Sequence, residues 1–313
     1  MLTHLIILLD DTSVSYCHYD GAIERRLIGL DDLKAGIVWA MKENLNVQFV
    51  YPDYEIPTEY NNLIDAIDHI NIKPENLSDD AEVVVLTDWK EKQPELANGV
   101  TYIVKTSHGE LEKYSDLIRE LLKSGARVVV VLTDVEAFTD ADIPSYKALL
   151  EKLVDILCED YQACKSTQLS LLTDRIMLNE MNNCNAGVNN VTLAPNGRFY
   201  LCPAFYYDNP NDDIGDLKRG LAIKNQHLLD LNHAPICRNC DAYHCKRCIW
   251  LNGRLTLDYN TPSHQQCVIS HLERNASRLL QQKLEEKDIC LNPSHEIKVI
   301  DYLDPFNIVN KWK

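Results

Sequence analysis

Apolar positions in the first half of the chain follow two alternating periods. LTHLIILLD is a short apolar run of the kind a buried strand shows. VQFVYP, AEVVVLT, TYIVKT, ARVVVVLT and TQLSLLT repeat it, most of them rich in β-branched residues. Between them DDLKAGIVWAMKENL, TEYNNLIDAIDHI, LEKYSDLIRELLKSG and SYKALLEKLVDILCED carry helical spacing. The first helix is predicted to place Ile37, Val38 and Met41 on one face, and the third to end at Gly125. Strand–helix alternation implies an α/β fold with a parallel sheet, because parallel strands need crossover connections. Six strands with four or five helices suit a partial (β/α) barrel better than a complete one. An open doubly wound sheet is the alternative.

The pattern changes after residue 175. NVTLAPNGRFYLCP holds a Pro-Asn-Gly turn between two short strands, a hairpin signal. Loop-rich, cysteine-bearing sequence follows, then a helix starting at Cys267, approached through Thr261-Pro262-Ser263. The tail HEIKVIDYLDPFNIVNKWK is expected to return to the body. The expected division is therefore an α/β domain over 1–175 and a small cysteine-rich domain over 176–313.

Composition narrows the function classes. A hydrophobic content of 45% over 313 residues implies packed cores. Lys and Arg are outnumbered 31 to 47 and the formal charge is -16, which excludes a cationic nucleic-acid footprint. No run is long enough to span a bilayer, and the N-terminus lacks the basic region of a signal peptide, so a cytoplasmic protein without membrane partners is expected. In a reducing compartment eleven cysteines argue for ligation rather than disulfides.

Seven of those cysteines form an ordered array. Cys184 and Cys202 bracket the hairpin, Cys237, Cys240, Cys245 and Cys248 follow as C-x2-C-x4-C-x2-C, and Cys267 closes the set. Short loops of this kind aim two sulfurs at one centre. Four thiolates suit a tetrahedral zinc site. Seven exceed one zinc site and suit two metal centres, for which iron–sulfur ligation is the richer reading.

The array resembles the SPASM domain that follows the catalytic core of many radical S-adenosylmethionine peptide-modifying enzymes. Cys184, Gly197 with Cys202 after RFYL, the NDDIGDL segment, the quartet and Cys267 each fall where that pattern has its counterpart. The quartet is one residue shorter in each of two gaps. The resemblance implies two auxiliary [4Fe–4S] clusters, one held by Cys184, Cys202 and Cys248 and the other by Cys237, Cys240, Cys245 and Cys267, with zinc as the alternative.

The first half lacks the C-x3-C-x2-C motif that a radical S-adenosylmethionine enzyme needs. If Tyr16-Cys17 is aligned with the family's third ligand, Asp10 and Val14 occupy the first two positions, and neither suits such a cluster. No Gly-Gly-Glu-Pro-like turn follows the second strand. S-adenosylmethionine is therefore not expected, and a stand-alone radical enzyme is disfavoured. Cys17 is expected to be an ordinary buried thiol.

The stretch from Cys184 to about Leu280 is similar to the CXXX repeat peptide maturase family. That resemblance implies maturation of a ribosomally made cysteine-repeat peptide, with the chain as an iron–sulfur accessory protein. It would bind the precursor peptide and work with a radical S-adenosylmethionine maturase. A non-catalytic peptide-binding module or a zinc-stabilised scaffold is the alternative. His244, His264 and His271 are expected at the surface, Trp250 and Leu251 over the metal centre, and Cys158 on a buried helix face. The acidic pairs, among them Asp10-Asp11 and Asp31-Asp32, are expected at strand ends and helix N-termini.

Overall fold

The computed structural model describes residues 2–291 and 297, except 23, 88, 91–96, 98, 124–126 and 182–183. The elements run β1 (His4–Leu8), α1 (Leu30–Lys42), β2 (Asn46–Val50), α2 (Thr58–Ile64), β3 (His69–Pro74) and β4 (Val83–Leu86). Then come β5 (Thr101–Thr106), α3 (His108–Lys113), α4 (Ser115–Lys123), β6 (Arg127–Leu132), α5 (Ile143–Gln162), β7 (Gln168–Leu169) and α6 (Asp174–Met177). The hairpin β8 (Asn190–Leu193) and β9 (Phe199–Tyr200) follows, with α7 (Pro203–Asp208), β10 (Gly215–Asp216), β11 (Gly220–Leu221), α8 (Ile249–Thr256) and α9 (His264–Glu285).

Two compact units emerge, each assembled from two stretches of chain. Residues 1–87 and 185–233 make the first, and 88–184 and 234–313 the second. In the first, β4, β3, β2, β1 and β8 lie side by side in parallel, and β9 pairs antiparallel with β8. In the second, β5, β6 and β7 are parallel neighbours. Strand order within each unit follows the chain from β1 to β4 and from β5 to β7. β8 lies on the other side of β1 from β2, and the parallel strands with their crossover helices make the expected α/β fold.

Strand β1 is buried along four of its five residues. Its apolar side chains join Val47, Phe49, Leu193 and Phe199 in the first unit's core. Helix α1 buries Leu33, Gly36, Ile37 and Ala40. Val38 and Met41 are 40% and 63% exposed, which corrects the expected face. Positions 33, 36, 37 and 40 follow the i, i+3, i+4, i+7 stripe; 38 and 41 lie beside it. Gly36 is needed for close packing: a Cβ there would sit 2.4 Å from Leu193 Cδ2.

Other boundaries also differ from expectation. The predicted helix over 58–70 stops at Ile64, and His69–Pro74 forms a strand instead, with Ile72 buried at 4% exposure. The helix expected over LEKYSDLIRELLKSG divides at Tyr114 into α3 and α4. α3 begins with a reciprocal cap between Ser107 and Glu110. TQLSLLT supplies only a two-residue strand before turning. Gly125 and nearly all of the tail, including the stretch expected to fold back, lie outside the described residues.

Candidate metal centre

In the second unit the segment 234–248 is irregular, and its turns are held by the backbone. Cys240 N–H donates to Cys237 O at 2.9 Å, and Cys245 N–H to Ala242 O at 2.9 Å. Cys267 lies in the first turn of α9, one turn after Ser263, whose hydroxyl caps the helix by accepting from Gln266 N–H at 3.2 Å. The helix therefore starts three residues earlier than its sequence signal. This arrangement brings Cys237, Cys240, Cys245 and Cys267 to the wall of one cavity with about 430 Å³ of atom-free space, counting its open mouth. Arg247, Gln266 and His271 face the same space, and Met181, Ile236 and Pro262 add apolar wall.

Burial governs the chemistry of these thiols. It pushes Cys237 up to about 12, with the neighbouring Cys245 adding to the rise, and it pushes Cys240 up to about 12. Burial also raises Cys245. Such thiols keep their protons unless a cation replaces them. Among the described residues, no three His, Cys, Asp or Glu side chains converge as ligands of a single ion would. The four sulfurs line a shared space instead. Arg247 is 1% exposed, adopts a left-handed backbone (φ 41°) and donates from Nη1 to Asn260 Oδ1 at 2.7 Å.

The other three array cysteines are placed differently. Cys184 is exposed, and its N–H donates to Lys246 O at 3.0 Å, which ties it to the quartet loop. Cys248 is buried, and its sulfur caps α8 by accepting from Leu251 N–H at 3.5 Å. Neither lines the cavity. Cys202 belongs to the first unit, where it is half-buried at the N-terminal end of α7.

Two histidines are inside rather than at the surface. His271 is 4% exposed, with Nε2 3.7 Å from Cys240 Sγ. His244 is 6% exposed, with Nε2 3.1 Å from Ser270 O and 3.2 Å from Glu273 Oε2. Position i+4 from Cys267 puts His271 on the inner face of α9, which overrides the general preference of histidine for the surface. His264 is exposed, as expected. Trp250 and Leu251 are buried beside Cys248 on α8 and do not line the cavity. Cys158 is buried on α5, as its helix face predicts.

Sequence reasoning missed the most strongly charged group beside the thiols. Asp241, between Cys240 and Ala242, is 2% exposed and faces three arginines. Arg175 Nε donates to Asp241 O at 3.0 Å, and its Nη2 lies 3.2 Å from Oδ2. Arg274 Nη1 lies 3.3 Å from Oδ1 and Arg278 Nη2 2.6 Å from Oδ2. Burial alone would raise the Asp241 carboxyl, but Arg274, Arg278 and Arg175 outweigh it and hold it below the usual carboxylate range. The available signal was Arg274 and Arg278 at i, i+4, which puts two like charges on one helix face.

At the end of β1 in the first unit, Asp10 is fully buried. Its Oδ1 accepts from Thr12 N–H at 2.8 Å and Thr12 Oγ1 at 2.6 Å, and its Oδ2 from Tyr54 at 2.9 Å. Val14 is buried. Cys17 is half-buried rather than buried, because Tyr19 takes the inner position of this loop at 3% exposure. Tyr19 stacks on Tyr207 with centroids 5.2 Å apart and meets Tyr16 edge-on. Tyr206 donates to Asp11, and Arg26 donates to both. The Asp10-Asp11 and Asp31-Asp32 pairs thus lie at a strand end and a helix N-terminus, as expected.

Parallel strands in sequential order, the β8–β9 hairpin and the long terminal helix can be compared with solved structures. The chain has the fold of anSMEcpe. With bound AdoMet, anSMEcpe aligns over 92% of this chain and 100% of its own at 12% identity and a TM-score of 0.59. With AdoMet and the Cp18Cys peptide bound, anSMEcpe aligns over 92% and 99% at 11% identity and a TM-score of 0.59. Streptococcus suis SuiB bound to precursor peptide SuiA aligns over 67% of this chain at 14% identity and a TM-score of 0.42, below the level of a shared fold. No family model and no curated protein sequence matches the chain. No helix among the described residues is long and apolar enough to cross a membrane.

Proposed function

We propose that the chain is an iron–sulfur protein that acts on, or presents, a cysteine-rich precursor peptide alongside a radical S-adenosylmethionine maturase. The observation that carries this reading is the gathering of Cys237, Cys240, Cys245 and Cys267 around one cavity. The residues fit a cluster. The donors are all sulfur, the cavity wall is largely apolar, and Arg247 offers a buried positive charge beside the thiolates. Four sulfur donors around one space suit an iron–sulfur group, with a tetrahedral zinc as the alternative.

In this reading Cys237, Cys240, Cys245 and Cys267 hold one [4Fe–4S] cluster in a SPASM-like region, and Cys184 and Cys248 belong to a second. When bound, such groups supply electron transfer or an iron that takes a sulfur ligand. The chain's own residues exclude water through Met181, Ile236 and Pro262 and keep the thiolate loop in register. Peptide binding is supported by the shared fold, since anSMEcpe is seen with a peptide bound. The loop after β1 carries Asp10, Val14 and Cys17 where the family's three cysteines would stand. The Asp10 carboxylate is engaged by Thr12 and Tyr54. The radical step is therefore assigned to the partner.

Oxygen-free purification with iron, sulfide and zinc analysis tests the metal assignment. Brown protein with matched iron and sulfide is expected, and colourless protein with stoichiometric zinc overturns it. Co-expression with a radical enzyme and a cysteine-repeat peptide, read by mass spectrometry, tests the role. A product mass that does not depend on this chain overturns that part.

A further inference from the structure

Two polar groups converge on one sulfur of the cysteine centre. The Cys240 sulfur accepts from Ala242 N–H at 3.5 Å, and His271 Nε2 lies 3.7 Å from it. His271 is buried and faces the cavity that Cys237, Cys240, Cys245 and Cys267 share. It follows Cys267 by four residues on α9, so one helix face carries a ligand candidate and this imidazole together. The thiol loop is tied to α9 on either side of His271, because His244 Nε2 lies 3.1 Å from Ser270 O and 3.2 Å from Glu273 Oε2. Ala242 N–H belongs to the turn, and any residue but proline would supply it. His271 is a polar side chain at a buried helix position, where a leucine would pack without the cost of desolvating an imidazole.

We propose that His271 is a positioning residue that donates a hydrogen bond from Nε2 to the Cys240 thiolate of the occupied centre and raises its reduction potential. This inference rests on the iron–sulfur reading above. A thiolate bound to iron has no proton to give, so Nε2 carries the hydrogen of this contact. Four sulfurs satisfy the four irons of such a cluster, which leaves His271 a donor to sulfur rather than a ligand to iron. One-electron reduction, by dithionite in the test below, puts the added charge on the iron–sulfide core and its thiolates. No covalent bond forms or breaks, and the imidazole keeps its proton. A hydrogen bond to the sulfur stabilises the added charge and so favours the reduced form.

The test is a potentiometric titration of the reconstituted full-length protein with dithionite, followed by the electron paramagnetic resonance signal of the reduced cluster, with iron content measured in parallel. H271L removes the donor and is expected to lower the midpoint. H271Q keeps a neutral N–H near the Nε2 position and should hold the midpoint near the wild-type value. Packing alone would leave the potential of a loaded centre unchanged. In wild-type protein grown with isotope-labelled histidine, the reduced cluster should show the weak nitrogen coupling that a hydrogen bond transmits, and H271Q should lose it. A strong coupling marks an iron-bound nitrogen and overturns the inference, as does loaded H271L with an unshifted midpoint. If H271L fails to load, the wild-type spectrum decides, since absence of any histidine coupling also overturns it. Each of these outcomes leaves the iron–sulfur reading standing. Wild-type protein that takes up no iron sinks both.

Discussion

Tyr146 on α5 donates a 2.7 Å hydrogen bond to Glu273 on α9. The other carboxylate oxygen of Glu273 lies 3.2 Å from Nε2 of His244, the residue before Cys245. A buried phenol and a buried carboxylate thus join the helical body of the second unit to the thiol loop. Burial and the Glu273 carboxylate hold the Tyr146 hydroxyl well above its ordinary range, so it remains a donor. Replacing Tyr146 by Phe leaves a buried carboxylate oxygen short of a donor. The expected cost is about 1–3 kcal/mol. Denaturant unfolding checks it, and an unchanged midpoint would show that the bond contributes nothing net.

Removal of ligands should separate the two centres. C237S and C267S are expected to lose the same share of iron and sulfide, because both sulfurs line one cavity. C184A should remove about half of the iron, since Cys184 is assigned to the other centre of a two-cluster set. Iron analysis of the three variants suffices. Total loss in C184A would mean the centres do not load independently.

The contact between α1 and β8 gives a test of the first unit alone. Alanine at Gly36 gains about 0.8–1.0 kcal/mol of helix propensity. Its Cβ would lie 2.4 Å from Leu193 Cδ2, and overpacking of this kind costs about 1–3 kcal/mol. A net loss of thermal stability is expected for G36A, and a larger loss for G36V. A stabilised G36A would show that Leu193 rotates away freely.

Glu110 gives a pH signature independent of metal. Hydrogen bonds from Lys90 and from the Ser107 backbone hold its carboxyl below the ordinary value. A depressed folded-state value means that its contribution is complete above the unfolded pKa of about 4.3 and fades as pH falls through the lower folded value. The stability difference between wild type and E110Q should therefore be constant near neutrality and shrink below about pH 4. A difference that grows on acidification would refute the cap's contribution.

Much of the first half was legible in the chain. β1, β2, β4, β5 and β6 appear where β-branched runs predicted them, since a strand buried on both faces needs little more than a continuous apolar run. β3 was not legible: HINIKP carries His, Asn, Lys and Pro, and its place comes from pairing with β2 rather than from its own composition. The α1 face was misassigned because Val38 and Met41 are apolar yet lie off the stripe. In the cysteine region spacing identified the candidate ligands, but the inward turn of His271 and His244 was hidden.

What the one-dimensional pattern settled is the class: strands and helices alternating into a parallel sheet, and thiols paired by short loops. Both follow from local physics, since hydrophobic period selects the element and loop length limits which sulfurs can share a centre. What tertiary packing decided is which thiols share a cavity and what charge stands behind them. Cys267 reaches Cys237, Cys240 and Cys245 only because α9 docks beside the loop. Asp241 meets Arg175 across 66 residues of sequence, a partnership that no short-range pattern encodes.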